Sequence, residues 1–288
     1  MRMDLVGLQA TDFYAETDQR ALDALKRIPL LPTLTKKFFE HGIDRWMYVQ
    51  NMAMCVRCGP RQYATVYGIM RDCARRLDMQ EPELYLTGNP FPNAFAGGVE
   101  RPYITLRSSI LDTLNDEQLV HIIGHELGHI KAGHILYMSM ARVLAPLMQL
   151  LGRATLGLGD VGTLALVMAL AEWSRQAELT ADRAGLLACQ DLPTSMSANL
   201  ALAAGPSRFA HEAHLETFVD QARAYQEMSQ TDMVGKAIWF MRYGYAASHP
   251  MPVYRTQALE RWVLAGSYDQ ILRTYGSATT STSSATGA

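Results

Sequence analysis

Two histidines and a glutamate are packed into one short run, His125-Glu126-Leu127-Gly128-His129. Histidines four residues apart on a helix lie about 40° apart around its axis, so both imidazoles point the same way. That geometry can grip one metal ion, and Glu126, beside the first histidine, can reach a water on it. In an HExxH pattern two His bind zinc and the Glu acts as general base. The pattern is short, and a solvated helix face that happens to carry two histidines is the bland alternative. The apolar neighbours weigh against it: half-buried imidazoles need partners, so a third ligand is what the rest of the chain must supply.

Glu178 and Asp182 are again four apart, so both carboxylates face one side of a helix whose other residues (Ala177, Leu179, Ala181, Ala184, Leu186, Leu187) are small or apolar. Such a pair points to a nearby cation; salt bridges to Arg175 and Arg183 are the alternative. With the HExxH upstream, Glu178 would complete a His-His-Glu set that leaves a fourth position for water. Asp182 would accept the other N–H of a ligand histidine and fix its tautomer.

These groups need elements to hold them. Leu119, Ile122, Ile123, Leu127 and Ile130 recur at helical spacing, Asn115 with Gln118 reads as a capping box, and Gly133 can end the helix. Ahead of it, Glu83-Leu84-Tyr85-Leu86 alternates as a strand does, and residues 88–93 are turn-rich. Asn93-Ala94-Phe95-Ala96 precedes Gly97-Gly98, a hairpin signal, and residues 101–106 form the returning strand. An open edge of this small sheet could take an extended peptide by strand addition; a purely structural hairpin is the alternative.

The flanks read as mostly helical. Ala21, Leu22, Leu25 and Ile28 form a stripe ending at Pro29, and Pro32 adds a second break. Another helix starts near Thr33, with Phe38 and Phe39 expected to pack inward. Val66, Ile69, Met70, Cys73 and Leu77 line a helix over residues 63–77. Cys55 and Cys58 form a CxxC with no second CxxC and no thioredoxin-like context, so they read as ordinary thiols. Residues 132–171 are rich in Leu, Met and Ala, but Arg142, Pro146, Arg153 and Asp160 interrupt them, so they read as two buried or half-exposed helices rather than spans. Peripheral membrane contact through 132–171, or an apolar patch for a partner, stays open. Further on, stripes at Leu215, Phe218 and Ala222 and at Ala237, Ile238 and Met241 are helical. His249-Pro250 begins a turn ending near Arg255, and Leu259, Trp262 and Val263 start a last helix. Residues 277–288 hold only Ser, Thr, Ala and Gly, the composition of a disordered tail.

The bulk numbers set bounds. A chain of 288 residues that is 49% hydrophobic can bury a substantial core. The net charge of -2, without a Lys/Arg block, argues against a nucleic-acid partner. The N-terminus lacks the apolar run of a secretory signal, and four cysteines make no disulfide framework, so the cytoplasm is the expected location.

Taken together, Asn93-Ala94-Phe95-Ala96-Gly97, the HExxH, Glu178 with Ala181-Asp182, and His249-Pro250 with Arg255 resemble the M48 family of zinc metallopeptidases, which includes HtpX and the CAAX-processing protease. The resemblance spans residues of about 59 to 262. It implies a gluzincin-type α+β fold, predominantly helical, with a small sheet beside the HExxH helix. It also implies one zinc per chain and hydrolysis of peptide bonds in peptide or protein substrates. Residue by residue it implies His125, His129 and Glu178 as ligands, Glu126 as the base and Asp182 as their support. His249 resembles the family histidine that steadies the oxyanion, and Asn93, Ala94, Phe95 and Ala96 resemble the segment bordering the substrate cleft. The chain is so divided into an N-terminal helical segment (1–58), the peptidase-like domain (59–275) and a tail (276–288). The membrane members carry clear spanning helices; this chain has only the interrupted stretch, which favours a soluble or peripheral member. A metzincin would need a third His at position 135, which is Ile135. His134 lies about 140° round a continued helix from His129 and is not expected on the same ion. A zinc-stabilised chaperone-like or scaffold protein with little or no proteolysis needs the same ligands and is the rival reading. A non-peptidase metal hydrolase is a third.

Overall fold

In the computed structural model the described residues are 2–29, 31–40, 42–141, 161–228, 249 and 251–282, with the side chains of 161–168 and 277–282 left aside. The motif helix, Asp116–Lys131, begins at a reciprocal cap. The Gln118 N–H donates to Asn115 Oδ1 at 2.9 Å, and the Asn115 N–H donates to Gln118 Oε1 at 3.1 Å. Every residue from Leu119 to His129 is buried, so this helix runs through the core instead of lying on it. It stops at Gly133, whose φ of +73° is left-handed, and the His134 N–H reaches back to the His129 carbonyl at 3.0 Å.

A long second helix, Val161–Cys189, the ligand helix, packs against the motif helix. The contact is glycine against alanine. A Cβ on Gly128 would stand 2.5 Å from Ala184 Cβ and 3.2 Å from Ala181 Cα, and one on Gly124 would stand 2.5 Å from Ala188 Cβ. None of these neighbours can swing aside, because each is anchored in backbone. Gly128→Ala gains about 1 kcal/mol of helix propensity but forces the helices apart, for a net loss of roughly 2 kcal/mol. Denaturant unfolding measures it; an unchanged or raised midpoint would contradict the close packing.

The sheet has four strands: β1 (Val56–Arg57), β2 (Glu83–Thr87), β3 (Ala94–Gly97) and β4 (Tyr103–Arg107), in the order β1-β2-β4-β3. β3 and β4 form the expected antiparallel pair, with Ala94 opposite Leu106 and Gly97 opposite Tyr103. β2 instead runs parallel to β4, which places β4 in the buried centre and β3 at the edge. Cys55 and Cys58 flank β1 as free thiols, and burial pushes the Cys58 thiol up to about 11.

The N-terminal segment folds as helices Ala10–Phe13, Glu16–Lys26, Leu31–Glu40 and Ile43–Met54. Pro32 sits in the first turn of the third, where its missing N–H costs nothing. Leu5, Leu8 and Phe13 join the core that holds the motif helix, while Leu22, Leu25, Leu31 and Phe38 form a second cluster with Met138, Met140, Leu170 and Trp173. Phe39, expected inward, is 39% exposed: adjacent helical residues point about 100° apart, and Phe38 takes the core position.

At the C-terminal side the turn after His249 is shorter than expected. Met251, at φ 63°, leads directly into the helix Pro252–Leu264, which carries Arg255 in its first turn. A further helix, Ser267–Thr282, enters the stretch whose composition suggests a tail. The proposed stripe at Ala237, Ile238 and Met241, Pro250, and residues 142–160 lie outside the described residues. The architecture is α+β and mostly helical. Among the described residues, no helix is long and apolar enough to cross a membrane.

Candidate metal centre

His125 and His129 project from the motif helix toward the side of the ligand helix that carries Glu178 and Asp182. Their Nε2 atoms lie 3.1 Å apart. Glu178 Oε2 is 3.5 Å from His125 Nε2, and Glu178 Oε1 is 3.3 Å from His129 Nε2. His249 completes the group, with Nδ1 at 2.8 Å from Glu178 Oε2. One donor atom from each of His125, His129, Glu178 and His249 lies within 4.8 Å of all the others. The first three are fully buried and His249 is half-buried.

The donors fit a divalent metal. Glu178 Oε1 and both oxygens of Glu126 are buried without a hydrogen-bond partner among the described residues. Buried anionic oxygens left this way are costly. A cation between the imidazoles and Glu178, with water beside Glu126, would satisfy them. Burial lowers the pKa of His129 well below its ordinary value, which keeps it the neutral imidazole a metal requires. Burial also opposes charge on His125, but Glu178 and Asp182 outweigh it and push its pKa up to about 9.

The surrounding groups orient these donors. His125 Nδ1 lies 2.9 Å from Asp182 Oδ1, which turns its Nε2 toward His129 and Glu178. Arg255 makes two bonds to Asp182, one from Nε at 2.7 Å, and its Nη1 stands 3.2 Å from Glu178 Oε2. Burial would raise the pKa of both carboxylates. His249, Arg255 and His125 hold Glu178 well below the usual range instead, and Arg255 does the same for Asp182. Arg175 and Arg183 do not take the role open to them in the sequence: Arg175 pairs with Glu172, and Arg183 donates to the Tyr14 carbonyl at 2.6 Å.

The cleft segment lies along one side of this cluster. Ala94 and Ala96 are buried, while Asn93 and Phe95, on the other face of the strand, line a separate cavity of about 510 Å³ with Trp46, Asn51 and Tyr103, which none of the four donor residues lines. The Ala94 carbonyl is 2.8 Å from His249 Nε2, so the expected open edge is closed by a histidine at that point.

Near the centre one histidine escaped sequence reasoning and another has a neighbour that its spacing did not suggest. His121, fully buried one turn before His125, lies 3.8 Å from Asp182 Oδ1, and burial lowers its pKa. Its spacing of four from His125 was the available signal. His134 is not among the donors, as expected, yet its Nδ1 lies 3.0 Å from His129 Nδ1. The turn at Gly133 returns it to the ring from which a continued helix would have carried it away.

A buried HExxH helix with an edge strand at its side and a carboxylate from a second helix defines a metallopeptidase of the zincin class. The sequence model of peptidase family M48 matches residues 60–263, most of the chain, and the chain belongs to that family. It is 29% identical over 271 residues to the plastoglobule-localized metallopeptidase 48 (chloroplastic) of Arabidopsis thaliana, covering 92% of this chain and 76% of that protein. It is 34% identical over 140 residues to protease HtpX homolog 1 of Sulfurisphaera tokodaii, covering 48% and 44%. A protease HtpX homolog of Picrophilus torridus is 40% identical over 72 residues, 24% of each chain. The chain thus matches less than half the length of these HtpX homologues. No solved structure matches it.

Proposed function

We propose that the chain is a zinc-dependent metalloendopeptidase with one zinc held by His125, His129 and Glu178. The convergence of those three donors beside Glu126, whose buried oxygens have no hydrogen-bond partner among the described residues, carries the reading. Two imidazoles and a carboxylate are the donor set of catalytic zinc sites. When bound, zinc would lower the pKa of water toward about 7 and share the negative charge that develops on the scissile carbonyl oxygen.

The chain's own groups do the rest. Glu126 takes the proton of the attacking water and passes it to the leaving amine. Asp182, held by Arg255, keeps His125 in its ligating tautomer. An extended peptide runs along β3 between Asn93 and Ala96. Where it pairs with the Ala94 carbonyl it replaces His249, freeing Nε2 to donate to the oxyanion. Glu126 Oε1 is only 3.4 Å from that nitrogen, so base and donor address one reacting centre.

Loss of an oxyanion donor costs about 100-fold or more in turnover, and that is the expected result for His249→Ala; an unchanged rate would remove His249 from the reaction. On this reading the partners are peptides or proteins, not nucleic acid. The location is the cytoplasm or the cytoplasmic face of a membrane touched through residues 132–171. Hydrolysis of casein or a quenched peptide by the zinc-loaded chain tests the function. It should stop on chelation and return with added zinc; a loaded chain that cuts neither would overturn it.

A further inference from the structure

The two histidine ligands are supported differently. His125 leans directly on a carboxylate, Asp182. His129 leans on His134, and behind His134 stands a second carboxylate from a distant part of the chain: Asp18 Oδ2 lies 3.1 Å from His134 Nε2, at ion-pair distance but off the line of a hydrogen bond. Asp18 belongs to the helix Glu16–Lys26, outside the residues matched by the family model. Both side chains are buried, Asp18 completely. Asp18 is held from the ligand helix, because Thr180 Oγ1 donates to Asp18 Oδ2 at 2.5 Å while accepting from the Ala15 N–H at 3.0 Å. The His134 ring is wedged edge-on against Trp173, with centroids 5.5 Å apart.

Only one assignment of protons suits this row. His129 must keep the lone pair on Nε2 for the metal, so its proton sits on Nδ1. His134 Nδ1 must then accept that proton's hydrogen bond, which puts the His134 proton on Nε2, facing the Asp18 carboxylate. If His134 took the other tautomer, two N–H groups would collide at 3.0 Å, or His129 would turn its own proton toward the metal.

We infer that Asp18 and His134 are positioning residues for the metal centre: the N-terminal helix fixes the tautomer of ligand His129 through the row Asp18–His134–His129. This rests on the metal-site reading above but not on peptide cleavage. Gly133 makes the row possible by folding His134 back, and Thr180 sets its far end.

Zinc affinity of the full chain, measured by chelator competition, tests it together with the ¹⁵N spectrum of the histidine rings in the zinc-loaded protein. The wild-type spectrum should show His134 protonated at Nε2. Asp18→Asn keeps the shape but removes the charge that favours this tautomer. His134→Phe keeps a ring against Trp173 but removes the acceptor. Loss of a partner behind a metal ligand typically weakens metal binding by about 10- to 100-fold. His134→Phe should fall in that range, and Asp18→Asn should lose affinity while reducing the Nε2–H form of His134. Unchanged affinity in both variants, or a wild-type His134 protonated at Nδ1, overturns the inference. The wild-type spectrum decides even if a variant does not fold. Wild-type protein that takes up no zinc would refute the metal site itself, a result separable from zinc uptake that ignores Asp18 and His134.

Discussion

Glu126→Gln is expected to keep the metal and lose hydrolysis by about 10²- to 10⁴-fold, the usual contribution of a positioned general base. Glu126 stands beside the donor cluster without belonging to it, so the change touches neither imidazole nor Glu178. The amide fills the same space but cannot take the proton from water. Stability should move the other way. Both Glu126 oxygens are buried without hydrogen-bond partners among the described residues, and a neutral side chain there costs less than an ionised one. The metal-free variant should therefore unfold at the same temperature as wild type or higher. Zinc content, thermal unfolding and hydrolysis of a quenched peptide, measured on one preparation, separate the possibilities. Equal hydrolysis in variant and wild type would remove Glu126 from the base role. A scaffold or chaperone would instead bind unfolded chains equally well with either residue and cut with neither.

What could be read in the sequence was local. The motif helix was legible because its cap, its apolar spacing and its terminating glycine lie within one short stretch, and the structure uses all three. The pair Glu178 and Asp182 was legible for the same reason: spacing alone puts both on one face. Their true counter-charge was not. Arg175 and Arg183 are their neighbours in sequence, but Arg255 reaches them from the far end of the chain, and nothing in local pattern announces that. The parallel pairing of β2 with β4 was hidden likewise, because strand order is settled by burial across the sheet. His134 shows a subtler limit. The angular argument assumed a continued helix; His134 does stand outside the donor group, but one left-handed residue, Gly133, changed what it touches. The placement of His249 came from family resemblance and could not have come from spacing, since the chain between it and Glu178 carries no local signal of their meeting.

Arg255→Met should be the most destabilising single change at the centre of the metal-free protein. The guanidinium is 4% exposed and serves two buried carboxylates, with Asp182 gripped at both oxygens and Glu178 touched by Nη1. Burial works against its charge, yet Asp182 and Glu178 raise its pKa further above the ordinary arginine value. Removing one partner of a buried pair costs about 3–5 kcal/mol because the other charge is left uncompensated. Here two charges lose a partner, so the upper end of that range is expected. The pH dependence follows from the depressed carboxylates. In wild type their contribution is fully present above the ordinary carboxylate pKa of about 4 and is lost as pH falls through the lower folded values. Without Arg255 those folded values rise toward the unfolded ones, so the variant has less stability left to lose as pH falls below about 4 and its acid limb is shallower. Lysine should rescue poorly, since a single ammonium cannot fork across Asp182 while reaching Glu178. The double change Arg255→Met with Asp182→Leu should recover part of the loss, because the stranded charge is removed with its partner. Urea unfolding of the metal-free chain across the acid range measures each of these. A cost near zero for Arg255→Met, with an unchanged acid limb, would mean that His125 and His249 suffice to hold the two carboxylates without it.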